Sequence, residues 1–138
     1  VDPDHLGRAI RAMRVTRADV IAAYRFDRVP EGLRRAIYSR VYNTLMGVLF
    51  GWPFRDINFA FKVFRREVLS AFELRSEGSL IDAELIIKAK NSGFVVQQIG
   101  IDYFPRAFGD SHLSSIGVVL RIFRELITLY PDMRRPSK

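Results

Sequence analysis

Short apolar runs and helix-spaced apolar stripes take turns along this chain, and that alternation leaves few folds open to it. Residues 18–25 (A-D-V-I-A-A-Y-R) form a compact apolar run that predicts a buried strand. Residues 31–50 carry Tyr38, Val41, Tyr42, Leu45 and Leu49 at helical spacing, and Gly51-Trp52-Pro53 stops that helix. Residues 58–64 alternate Phe59, Phe61 and Val63 with Asn58, Ala60 and Lys62, the period of a strand. Residues 81–91 predict a helix with Lys88 and Lys90 near its end and Gly93 as its terminator. Residues 94–104 predict a strand with a break at Gly100. Residues 116–130 predict an amphipathic helix with Arg121, Arg124, Glu125 and Thr128 outward and Pro131 as its stop. Asp2 and Pro3 open a first helix that runs to about Arg14, and residues 67–72 add a helical turn or two.

The order helix, strand, helix, strand, helix, strand, helix defines an α/β domain. Three strands make a thin sheet whose exposed edge invites another chain to pair with it, so the sequence reads as structurally incomplete. At 138 residues the chain fits one domain, and its 49% apolar content supports a packed core. It has no cysteine, which excludes disulfides and thiolate metal sites. No run of 18 apolar residues occurs to span a bilayer as a helix. A net charge of +7 calls for an anionic partner: nucleic acid, lipid headgroups or phosphorylated small molecules.

Several groups of residues carry chemistry. Arg25 closes the first strand, where α/β proteins build ligand sites, and Arg35 and Ser39 are four apart on one face of the next helix. Two guanidinium forks and a hydroxyl suit a phosphate, while the same spacing also fits a solvated basic face. Asp56 reads equally as a turn residue or as a group orienting a sugar hydroxyl. Phe59, Phe61 and Phe64 read as core. Asp82 and Glu84 are two apart on a helix and point about 200° from each other, so both cannot face one substrate. The spacing from Ser79 to Asp82 fits a capping box, which gives Asp82 a structural role and leaves Glu84 as the favoured site-facing carboxylate. Asp2 and Asp4 read as helix-capping residues, and His5 as structural.

The segment D-I-N-F-A-F-K-V-F-R-R at 56–66 is followed by Ser76-Glu77-Gly78, Asp82-Ala83-Glu84, Pro105-Arg106 and Gly109-Asp110-Ser111-His112-Leu113. These blocks, in this order, resemble the C-terminal half of a family 2 glycosyltransferase of the polyprenol-phosphate mannosyl- or glucosyltransferase type. The opening V-D-P-D-H-L resembles the segment just after that family's metal-binding D-x-D. The resemblance implies a partial GT-A (nucleotide-diphospho-sugar transferase) fold over residues 1–138. This would be its acceptor-side half, a small mixed sheet flanked by helices, with the N-terminal nucleotide-binding half absent.

It implies roles as well. Arg25, Arg35 and Ser39 would bind the acceptor phosphate, and Arg106, Ser111 and His112 the donor diphosphate. Asp56 and Asn58 would position acceptor or sugar, and Glu84 or Asp82 would be the catalytic carboxylate. Mg²⁺ or Mn²⁺ would be held in the intact domain by ligands mostly missing from this chain. Expected partners are a nucleotide-diphosphate sugar, a polyprenyl phosphate, the cytoplasmic face of a membrane as a peripheral protein, and the missing half or a second copy at the sheet edge; nucleic acid is not among them. His112 departs from the lysine of dolichol-type members and is only partly charged near neutral pH. The rival reading is a non-enzymatic basic module that binds anionic membrane or nucleic acid, with arginines spread over one face. The 138-residue chain alone is expected to transfer no sugar; measurable transfer in a radiolabelled-sugar assay would overturn this.

Overall fold

The computed structural model describes residues 3–25, 33–102 and 116–135. It contains α1 (Pro3–Thr16), β1 (Val20–Arg25), α2 (Leu33–Phe50), β2 (Lys62–Phe64), α3 (Arg66–Ser70), a 3₁₀ turn (Gly78–Leu80), α4 (Ile81–Asn91), β3 (Val96–Ile101) and α5 (Ile116–Arg134). The strands form one mixed sheet in the order β2-β1-β3. β1 runs antiparallel to β2, with Ile21 opposite Val63, and parallel to β3, with Tyr24 opposite Gly100.

Period-two alternation along β1 divides the interior. Ile21 packs on one face with Ala9 of α1 and Ala18, flanked by Phe61, Val63 and Ile99. Ala22 faces the larger core on the other side, with Met46 of α2, Ile86 and Ile87 of α4, and Leu126 and Met133 of α5. Val20 joins Val68 of α3 and Ala89. The Phe50 and Tyr130 rings meet at 5.4 Å between centroids and tie α2 to α5.

The α/β class and the three-strand mixed sheet agree with the sequence, while several boundaries move. β2 covers only Lys62–Phe64, because Asp56 adopts φ +50° and the Phe59 amide bonds back to the Asp56 carbonyl, folding the chain into a turn before the strand. β3 passes through Gly100 unbroken. α1 extends to Thr16, and Asp2 lies outside the described residues. Tyr38 and Val41, expected on the buried stripe of α2, are exposed, whereas Met46 is buried.

Pro131 does not stop α5, which continues to Arg134. Proline removes one backbone donor from a helix. Here the last turn is held from outside: Lys88 reaches the Asp132 carboxylate, Asn91 donates to the Met133 carbonyl, and Met133 is fully buried. Ile86 is equally buried in that core. Ile86→Ala should therefore cost about 2–5 kcal/mol, read as a lower midpoint in urea unfolding.

Candidate functional site

β1 delivers Arg25 to the C-terminal end of the central strand, and the turn before β2 meets it there. The Arg25 guanidinium donates from Nε to Asp56 Oδ2 at 2.7 Å and from Nη2 to Asp56 Oδ1 at 3.3 Å. Asp56 is buried, and its left-handed backbone is the local distortion that aims the carboxylate at the arginine. The guanidinium also lies 5.7 Å from the Phe59 ring centroid. Phe59 therefore meets the site and is not only core.

A string of hydrogen bonds then leads from this turn to α2. The Ile57 amide donates to Asn43 Oδ1 at 3.0 Å. Asn43 Nδ2 donates to the Ser39 carbonyl at 2.7 Å and to Ser39 Oγ at 3.3 Å. Arg25, Asp56 and Ser39 are thus parts of one connected arrangement. Arg35 stands one turn before Ser39 on α2, and its side chain lies outside the described residues, as do Arg106, Ser111 and His112. Asn43 was not among the candidates; its place one helical turn after Ser39 is the signal that points to it.

Lys62 occupies the next position inward. Its side chain is only 4% exposed, and Nζ donates to Asp82 Oδ1 at 2.7 Å and to the Phe59 carbonyl at 2.6 Å. Burial lowers the Lys62 pKa, and Asp82 opposes that fall. Asp82 does not cap α4: the helix start has no side-chain cap bond, and the aspartate turns to Lys62. The Tyr42 hydroxyl and Asn58 Oδ1 nearby are buried without a well-formed hydrogen bond. Burial pushes the Tyr42 phenol up, and the neighbouring Asn58 counters part of the push.

Glu84, the carboxylate expected to face the ligand, is fully buried on the other side of α4. It accepts hydrogen bonds from the Arg75 and Ser76 amides at 3.0 and 2.7 Å, from Ser76 Oγ, and from Lys88 at 2.7 Å. Asp82 and Glu84 do diverge as their spacing requires, but Asp82 is the part-exposed member. Burial alone would raise the Glu84 carboxyl; the bonds from Lys88, Ser76 and the two amides outweigh it, and the net direction is down. Lys88 also reaches Asp132, whose carboxyl is lowered chiefly by that hydrogen bond. For Lys88, burial lowers the pKa, but its bonds to Asp132 and Glu84 prevail and raise it.

Beyond Glu84 an open groove of about 730 Å³ lies between residues 75–77 and α5, with Arg75, Arg121 and Arg124 among its lining residues. Among the described residues no group of three or more His, Asp or Glu is placed to hold a metal ion. Asp56, Asp82 and Glu84 each meet a different cation instead, so these residues do not fit a Mg²⁺ or Mn²⁺ site.

Known proteins are similar to this chain in sequence. Polyprenol monophosphomannose synthase of Mycolicibacterium smegmatis is 30% identical over 131 residues, covering 88% of this chain and 48% of that protein. The chain is similar in sequence to polyprenol-phosphate glycosyltransferases. Glycosyltransferase AglD of Haloferax volcanii is 27% identical over 131 residues, covering 91% of this chain and 21% of that protein. The chain therefore spans about half the length of one curated relative and about a fifth of the other. No family profile matches it, and no solved structure does. Among its described residues the chain has no helix long and apolar enough to cross a membrane.

The lowered Glu84 and Asp132 carboxyls mean that the unfolded chain takes up protons more readily than the folded one. Their contribution is fully present above the ordinary carboxylate range, roughly pH 4, and is lost as pH falls through the folded values. The raised Lys88 contributes fully below about pH 10 and loses its share above it. Urea midpoints measured from pH 3 to 8 should fall on the acid side, and Glu84→Gln should lower the plateau and flatten that fall.

Proposed function

We propose that this chain supplies the acceptor-binding side of a GT-A-type, inverting glycosyltransferase. The enzyme would move a sugar from a nucleotide-diphosphate donor to a polyprenyl phosphate of the dolichyl type at the cytoplasmic surface of a membrane. The observation that carries the reading is Arg25 at the end of β1, aimed by Asp56 and linked through Ile57 and Asn43 to Ser39. A guanidinium has five N–H donors in a planar fork, so an orienting carboxylate and a phosphate can share one arginine. Arg25, with Arg35 and Ser39 from α2, would hold the phosphate head, and Asp56 would act on it through Arg25.

The chemistry asks little of the protein beyond placement. A phosphate monoester is already ionised near neutral pH, so its oxygen attacks the anomeric carbon directly as the bond to the diphosphate breaks. Inversion follows from a single displacement. Cations near the diphosphate would stabilise the charge that develops on it, the part assigned to Arg106, Ser111 and His112. Asp56 and Asn58 would position the sugar or the acceptor. A sugar-hydroxyl acceptor would need a proton acceptor, and Asp82 is the part-exposed carboxylate that could supply one.

Titration calorimetry with farnesyl phosphate tests the acceptor site. Arg25→Ala should weaken binding by about 10- to 150-fold, the worth of a hydrogen bond to a charged group at about 1.5–3 kcal/mol. Arg25→Lys should recover only part, because it keeps the charge but loses the fork. Arg8→Ala, on the exposed side of α1, should leave affinity within twofold. Equal losses for Arg8→Ala and Arg25→Ala, with a steep salt dependence, would instead favour the basic-module reading.

A further inference from the structure

Glu84 is buried away from the acceptor site, yet its carboxylate is filled with hydrogen bonds. Burying a carboxylate is unfavourable unless its lone pairs are filled. Here they are filled by the backbone of Arg75 and Ser76, the Ser76 hydroxyl and Lys88. Residues 75–77 belong to no helix or strand, and this carboxylate pins them against α4.

The same network reaches α5. Lys88 passes from Glu84 to Asp132, and Arg75 approaches Asp132 at 3.3 Å. The two walls of the groove are therefore set by one buried cluster. Arg75 and Ser76 stand on one wall; Arg121 and Arg124, one helical turn apart on α5, stand on the other with Leu120. Arg121 and Arg124 are exposed, and neither has an ion pair among the described residues. Glu77 and Glu125 flank the groove, so a ligand must engage the arginines while avoiding these two carboxylates.

We propose that this groove is a second anion-binding site, taking a phosphate or diphosphate group between Arg75, Arg121 and Arg124, and that Glu84 is its positioning residue. The site lies apart from Arg25 and extends the transferase reading by giving the chain two separate contacts for phosphorylated substrates. Glu84 touches no ligand; it acts by holding Arg75 and Ser76 in place.

The test uses the 138-residue chain with two probes, inorganic pyrophosphate and farnesyl phosphate, together with amide hydrogen exchange. Arg121→Ala with Arg124→Ala should weaken pyrophosphate binding at least 10-fold and leave exchange at Ser76 unchanged. Glu84→Gln should speed exchange at Arg75 and Ser76 at least 10-fold relative to Ile21 and weaken pyrophosphate to a similar degree, and Glu84→Asp should restore part of both. Tighter binding of farnesyl phosphate than pyrophosphate, lost in the double variant, would identify the lipid phosphate as the occupant; the reverse order would point to a diphosphate. If the double variant binds both probes as the wild type does, the groove site is wrong. If Glu84→Gln frees the amides but leaves affinity unchanged, the positioning role is wrong. Loss of farnesyl phosphate binding in Arg25→Ala is read separately, so the acceptor-site reading stands or falls on its own.

Discussion

A strand buried on both faces must satisfy its backbone on both edges, and β1 does so by pairing antiparallel with β2 and parallel with β3. Its first four residues are buried, and side chains alternate between the α1 layer and the larger core under α2, α4 and α5. That placement leaves little freedom to its C-terminal end. Arg25 emerges where the sheet meets the turn before β2, so the guanidinium is delivered by a strand held on both edges. A binding group on such a segment loses little conformational freedom when it meets a ligand.

Charge inside the protein is handled by a second rule: the three carboxylates Asp56, Asp82 and Glu84 meet three different cations, and Lys88 also serves Asp132. Asp56 takes Arg25, Asp82 takes Lys62, and Glu84 takes Lys88. The pairs lie in different parts of the structure. The first lies at the proposed acceptor site, the second joins β2 to the start of α4, and the third joins α4 to residues 75–76 and to the last turn of α5. Removing either member of such a pair leaves an uncompensated charge, so the pairs specify this arrangement over others more strongly than their net contribution to stability would suggest.

The kinship with polyprenol-phosphate glycosyltransferases gives these pairs a context. In a transferase acting on phosphorylated substrates, positively charged groups must be both exposed enough to bind and fixed enough to discriminate. Arg25 is aimed by Asp56 from behind, and Lys62 is withdrawn to hold Asp82. Both cations are paired, and burial distinguishes them: the Arg25 side chain is 18% exposed and that of Lys62 4%.

Much of this was legible in residue order. The run at 18–25, the helix at 81–91 with Gly93 beyond it and the helix starting at 116 are local patterns that local sterics and periodicity decide. The face α5 buries is not one of them, since Leu120 and Ile127 are exposed and Leu126 and Met133 are buried. The divergence of Asp82 from Glu84 was equally legible, because a helix sets the angle between two of its own residues. Which of the two would face inward was not, since that depends on how α4 is rotated against everything around it. The bonds that settle it, and those that hold the site, span 20 residues for Lys62 to Asp82, 31 for Arg25 to Asp56 and 44 for Lys88 to Asp132. Pro131 fails to end α5 for the same reason, because distant partners hold the turn that a proline by itself would release. The sequence determined the types of element and the chemistry available to them. Tertiary packing decided which carboxylate each cation met, because that pairing rests on contacts no local period encodes.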